Sequence, residues 1–328
     1  MTDDATSPRQ SFTEFFAAEI APGLPALEAQ RRDRLRNAYT RIFGAAFVVV
    51  VAALIAWLAW HPVAGGVVLV AGALIGLTWA RQPAKRHRSA VRDLVIPPLL
   101  RFLGTGEGNV EYHREPDGRF DLDRVKRSGI TGTFNRAKLE DLFLGRYRDT
   151  DFRMVEARLR RKRQRGGRSG RRTVFSGLLC DISVPAAFSG AVLLVGDKGA
   201  AGNWVVDLLK RNFAGIEPVA LGDPAFEARY QAYSDNPAEA QRLLQPGLLE
   251  TLLALSDELD RKAVNCAFLE GRFLMAIPQR RDLFEIGLLQ RSLEHAEDDL
   301  RRLAAEFTIA HRLIDNLHGE RKPLLPES

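Results

Sequence analysis

No Asp, Glu, Lys or Arg occurs between Ile42 and Ala80, and that charge-free run constrains the fold more than any other feature of the chain. It divides into IFGAAFVVVVAALIAWLAW at 42–60 and VAGGVVLVAGALIGLTWA at 63–80, separated by His61-Pro62. Nineteen helical residues rise roughly 28 Å, matching a hydrocarbon core of about 30 Å. Pro62 suits the first turn of a second helix, where a missing N–H costs nothing. Two spans joined by so short a turn must run antiparallel, so the expectation is a transmembrane helical hairpin. Trp57, Trp60 and Trp79 stand where interfacial aromatics belong, and Gly72 and Gly76 allow close helix contact. A signal peptide fits poorly, because about 40 residues precede the first span and a second follows at once.

The flanks orient the hairpin. Arg31, Arg32, Arg34, Arg36 and Arg41 precede it, Arg81, Lys85, Arg86, Arg88 and Arg92 follow it, and the turn carries no Lys or Arg. The positive-inside rule then puts both termini and the soluble region in the cytoplasm of an inner-membrane, multi-pass protein. A third basic stretch, RLRRKRQRGGRSGRR, holds Arg158, Arg160, Arg161, Lys162, Arg163, Arg165, Arg168, Arg171 and Arg172. Without residues 31–41, 81–101 and 158–172 the net charge of +6 becomes 27 basic against 39 acidic residues. Basicity is therefore local, which argues against a nucleic-acid-binding face spread over the fold.

The remaining chain reads as α+β. Residues 1–41 form a helical lead-in, with Phe12, Phe15, Phe16 and Ile20 as an apolar stripe that packs on protein, broken near Pro22 and Pro25. Residues 81–108 form a juxtamembrane helix, 109–281 an α+β domain with a mainly antiparallel sheet, 282–318 a long C-terminal helix and 319–328 a tail. Within the domain, VEYHRE, GRFDL and ITGTF are predicted strands and KLEDLFLGRY a short helix. FRMVEARLRR and TVFSGLLCDISV are predicted strands joined by an arginine-rich link, KRQRGGRSGR. AVLLV, IEPVA and FEARYQAYS continue the strands, 237–260 is helical, and VNCAFLEGRFLMAIP is a strand pair turning at Glu270-Gly271. In the terminal helix Leu289, Leu293, Ala296, Leu300, Leu303, Phe307, Ala310, Ile314 and Leu317 keep a 4-3 spacing. That is a seam for a neighbouring helix, internal or on a second copy or partner protein.

The series FTEFFAAEIAP, the hairpin, EDLFLGRY, VFSGL and FEARYQAYSDNPAEAQRLLQPGLLETLLAL, closed by a strand pair and a long helix, resembles the bacterial family named domain of unknown function 3137. The resemblance implies a membrane protein and supplies no catalytic residues to carry over.

No catalytic constellation stands out. Cys180 and Cys266 sit in apolar runs and read as buried free thiols; CxxC and HExxH are absent, so no metal or other cofactor is expected. Gly196-Asp197-Lys198-Gly199 lacks the Walker spacing, and the six histidines form no readable cluster. Stretch 158–172 reads as contact with anionic lipid headgroups or another polyanion, or as a solvated loop; no aromatics interleave it for base stacking. The expectation is a non-enzymatic binding or scaffolding module anchored to the bilayer, the alternative an enzyme acting on a membrane-proximal substrate.

Overall fold

The computed structural model describes residues 8–59, 62–80, 82–104, 108–165, 168–196, 215–259, 264–279 and 291–319. His61, Arg81, Leu289, the loop at 197–199 and residues 282–290 of the expected terminal helix lie outside them. The chain forms two compact units, Met1–Phe102 with Phe284–Leu303, and Leu103–Leu283 with Ala304–Ser328.

The first unit is helical. Helix α1 (Pro8–Glu19) buries Phe12, Phe16 and Ile20 immediately beyond its end, the expected stripe, and Phe15 stacks on Phe102 with ring centroids 4.6 Å apart. A 3-10 turn at Ala21–Gly23 follows, where Pro22 interrupts the ladder. Helix α2 (Leu24–Ala59) then runs unbroken, and α3 (Pro62–Ala80) and α4 (Gln82–Gly104) follow it. Where α3 approaches α2, a Cβ on Gly72 would lie 2.5 Å from Val49 Cγ2, so only glycine admits that contact. Among the described residues one stretch, Phe12–Ala59, is long and apolar enough to cross a membrane, by length and composition. Only 6% of its most apolar window is buried in the chain.

The second unit is an α+β domain. Its nine-stranded antiparallel sheet has the order β1-β2-β3-β4-β9-β8-β5-β7-β6. The strands are β1 (Gly108–His113), β2 (Arg136–Tyr147), β3 (Thr150–Arg165), β4 (Arg168–Ser183), β5 (Val192–Gly196), β6 (Glu217–Val219), β7 (Tyr230–Ser234), β8 (Asn265–Leu269) and β9 (Arg272–Pro278). One face packs Leu142, Val155, Ala157, Leu159, Leu179 and Leu274 against Phe120, Val125 and Ile130, which come from and around α5 (Leu122–Ser128). Short helices α6 (Pro224–Glu227), α7 (Pro237–Leu243) and α8 (Pro246–Glu258) precede the β8–β9 hairpin, and α9 (Ala296–Leu317) closes the chain. The other face meets α9, with Phe143 edge-on to Phe307 at 4.7 Å and Phe152 edge-on to His311 at 5.7 Å. Asn316 Nδ2 donates to Thr251 Oγ1 of α8 at 2.9 Å.

Several sequence expectations change. KLEDLFLGRY is not a helix but most of β2. A β-bulge at Asp141 puts Leu139, Leu142 and Phe143 at i, i+3 and i+4, mimicking a helical stripe. GRFDL and ITGTF are not strands: Asp121 accepts from Arg124 N–H and caps α5 instead. FEARYQAYS divides into α6 and β7, and Pro246 starts a new helix within 237–260. The arginine-rich link is no loop, because β3 runs to Arg165 and β4 begins at Arg168. From Leu293 to Ile314 every seam residue is buried within the chain.

Candidate functional site: a cationic β-ribbon

Strand alternation sorts the basic stretch into two faces. Along β3, Ala157 and Leu159 are buried in the core, whereas Arg158, Arg160 and Lys162 are exposed on the opposite face. The register sets Arg158 across from Lys138 and Arg160 across from Arg136, so five cations share one surface of the β2–β3 ribbon. A concavity of about 310 Å³ is lined by Arg136, Ala137, Lys138, Arg158, Arg160 and Lys162. The ribbon end is clamped by Asn135, whose Oδ1 accepts from Lys162 N–H at 2.9 Å and whose N–H donates to Arg160 O at 3.1 Å.

Electrostatically the surface is under-compensated. Lys138 Nζ pairs with Glu140 Oε2 at 2.5 Å. Among the described residues no carboxylate lies within 4 Å of Arg136, Arg158, Arg160 or Lys162. Like charges directly opposed across an antiparallel pair destabilise it, and solvent screens only part of that repulsion. An anion placed between the rows removes the repulsion and gains charge-assisted hydrogen bonds.

The sign of the surface then reverses. Glu140 is opposite Glu156 at the next step of the register, and Glu306 reaches in from α9. Gln279 Nε2 donates to Glu306 Oε1 at 2.5 Å, while Glu306 Oε2 is inaccessible and has no partner among the described residues. Burial, with Glu156 as a like-charged neighbour, pushes the Glu306 carboxyl up to about 7.

Of the sequence-predicted residues, Arg161 and Arg172 are exposed, and Arg161 lies off the cationic face. Arg163 and Arg165 belong to β3, and Arg168 and Arg171 to β4, with Lys162 opposite Arg171. Arg136 and Lys138 escaped the sequence reading, because a helix was expected from Lys138 and Arg136 fell between predicted elements; the apolar alternation before Asp141 is the signal that finds them. The residues flanking the charge-free run behave differently. Arg31 Nη2 pairs with Glu28 at 2.6 Å, Arg32 with Glu28 at 3.1 Å and Arg36 with Asp33 at 3.4 Å. Arg34 donates to Gln30 at 3.0 Å, Arg41 and Arg88 are half-buried, and Arg86 is exposed on α4, which also carries Lys85.

Nothing nearby assembles a nucleophile. Cys180 and Cys266 are free and buried, burial pushes both thiols upward, and no group of three or more metal-binding side chains occurs among the described residues. His311 of α9 stacks on Tyr147 at 4.2 Å, and the exposed His318, just past α9, bonds Thr150 at 2.9 Å.

No curated protein matches the chain. A crystal structure of the mycobacterial trehalose monomycolate transport factor A, TtfA, aligns over 75% of this chain and 100% of that one, at 11% identity and a TM-score of 0.33. A likeness that low carries nothing about activity. The family described as "Protein of unknown function (DUF3137)" matches residues 173–318, so from within β4 to just past the end of α9 the chain resembles that family.

Proposed function

We propose that this protein is a bilayer-anchored binding module whose cationic β-ribbon takes up anionic lipid headgroups. In this reading α2 and α3 span the inner membrane as a hairpin, with both flanks in the cytoplasm. The support is threefold: the charge-free run at 42–80, the exposure of Phe43, Phe47, Leu58, Val63 and Ile75 on both helices, and the arginine-rich flanks. The observation that carries the binding role is the opposed pair of cation rows, Arg136 and Lys138 against Arg160 and Arg158. Near an anionic surface each such cation contributes about 1 kcal/mol, and a rigid ribbon presents them without ordering a loop.

The test uses the full chain in zwitterionic nanodiscs, offered separate vesicles of phosphatidylglycerol or phosphatidylcholine in a flotation assay. Capture of the phosphatidylglycerol vesicles alone, weakened at least tenfold in the Arg158→Gln/Arg160→Gln variant and by raised salt, is the expected result. Equal capture by the variant, or no preference for the anionic lipid, would sink the proposal.

A further inference from the structure

A second cationic feature lies in the helical unit and is unused by the binding role proposed above. His87 on α4 is 0% exposed, and neither ring nitrogen has a hydrogen-bond partner among the described residues. A neutral imidazole carries one donor and one acceptor, and native interiors seldom leave both unmet. Its charged neighbours are Arg34 and Arg31 of α2, with Glu28 opposing them. Arg34 Nη1 is likewise buried without a partner among the described residues, its Nη2 being held by Gln30. Arg31 is 8% exposed and Arg92 of α4 is 5% exposed.

Two carboxylates act on these groups: Glu294 bears on Arg31, and Glu28 is already committed. Glu28 Oε1 accepts from Arg31 and Arg32, and its Oε2 accepts from Arg31 Nε and from Leu293 N–H. These bonds hold its carboxyl down at about 2, so it has little left to offer Arg34 or His87. The cluster thus leaves Arg34 Nη1 and both imidazole nitrogens buried and unmet among the described residues. Buried charge without a counter-charge is costly, and a buried unpartnered group marks a place for an ion, a water or a ligand. Arg34 precedes Ile42 by eight residues and His87 follows Ala80 by seven. At 1.5 Å per residue that is roughly 10–12 Å from the apolar run, on the side where both flanks emerge.

We infer that His87 and Arg34, with Arg31 beside them, form an internal anion site in the juxtamembrane helices that takes a phosphate group. A tetrahedral oxyanion accepts from the Arg34 Nη1 and from an imidazole N–H at once, and its charge answers that of Arg34. Two sources carry that chemistry, a lipid phosphate entering from the bilayer side and a free phosphate. When the site is empty, burial and the two arginines push the His87 ring down to about 4. An anion reverses that effect, so binding draws a proton onto the ring.

The experiment uses the full chain in zwitterionic nanodiscs, with inorganic phosphate as the first probe and phosphatidic acid incorporated in the disc as the second. Ring-nitrogen NMR of histidine-labelled protein at pH 6 is the primary readout. The site predicts that His87 moves from neutral to protonated on saturation, while chloride at matched ionic strength leaves it neutral. A response to inorganic phosphate identifies a free anion as sufficient, and a response to phosphatidic acid alone assigns the lipid. Arg34→Gln should weaken either response at least tenfold. Arg158→Gln/Arg160→Gln should leave it unchanged, which separates this site from the ribbon. A His87 resonance that ignores both probes, or shifts equally in Arg34→Gln, overturns the inference, and because the ring is read in the wild-type chain the answer does not depend on a variant folding.

Discussion

Glu306→Gln should stabilise the sheet domain at pH 8 and remove a pH dependence that the wild-type chain shows below neutrality. The carboxyl sits between α9 and the sheet, with Oε1 bonded to Gln279 and Oε2 buried without a partner among the described residues. Its stem is half-exposed and its charged end is not. Burial, then the Glu156 charge, raises its pKa from 4.5 to about 7, while the Gln279 bond opposes the rise. The folded chain therefore keeps this proton to about pH 7, whereas the unfolded chain releases it near 4.5. Between those values the unfolded state binds fewer protons, so stability falls as pH rises through the window and levels off above it. At about 1.36 kcal/mol per pH unit the ceiling is about 3 kcal/mol. Relaxation around the partly exposed stem brings the expected loss to about 1–2 kcal/mol. A glutamine keeps an acceptor for Gln279 and offers its amide to Glu156, with no proton to lose. Denaturant titration of the full chain in micelles, followed by the β-sheet circular dichroism at pH 5, 6, 7 and 8, measures both proteins. A wild-type stability that rises with pH across this range, or an equal slope in Glu306→Gln, refutes the reasoning.

Two further outcomes follow from the sheet. Gly177→Ala should destabilise the domain by about 2–4 kcal/mol, since Gly177 has φ +154° and an added Cβ would lie 2.0 Å from Ile277 O of β9; an unchanged denaturation midpoint contradicts this. Arg158→Glu should do the reverse, gaining a few tenths to about 1 kcal/mol by setting a carboxylate opposite Lys138, while anionic vesicle capture falls. Loss of stability in that variant would mean that the cation rows do not repel.

Where local chemistry and tertiary packing agree, the residues spell out the element. Glu270-Gly271 announces a hairpin, and both residues adopt positive φ, 53° and 74°, between β8 and β9. The 4-3 spacing from Leu293 to Ile314 likewise names the positions that end up buried. Elsewhere the pattern misleads for a definable reason. One inserted residue at Asp141 shifts the alternation of β2 and imitates a helix, and the stretch between Lys162 and Arg171 looks like a loop although pairing continues as far as Arg165 opposite Arg168.

The candidate site shows the same division. Nine basic residues between Arg158 and Arg172 are plain in the sequence, but two of the five cations on the surface come from β2, about twenty residues upstream. Nor does anything local mark His87, a lone histidine in a basic helix, as fully buried beside Arg34. The sequence by itself determined the charge-free apolar run, the arginines at both its ends and the seam of the last helix, because these depend on composition and on periods of 3.5 to 3.6 residues along one segment. Only the tertiary structure decided which cations face one another and which acids and imidazoles are buried. Those outcomes depend on strand register, on a single bulge and on the packing of segments remote in sequence, and a one-residue change in register exchanges the two faces of a strand.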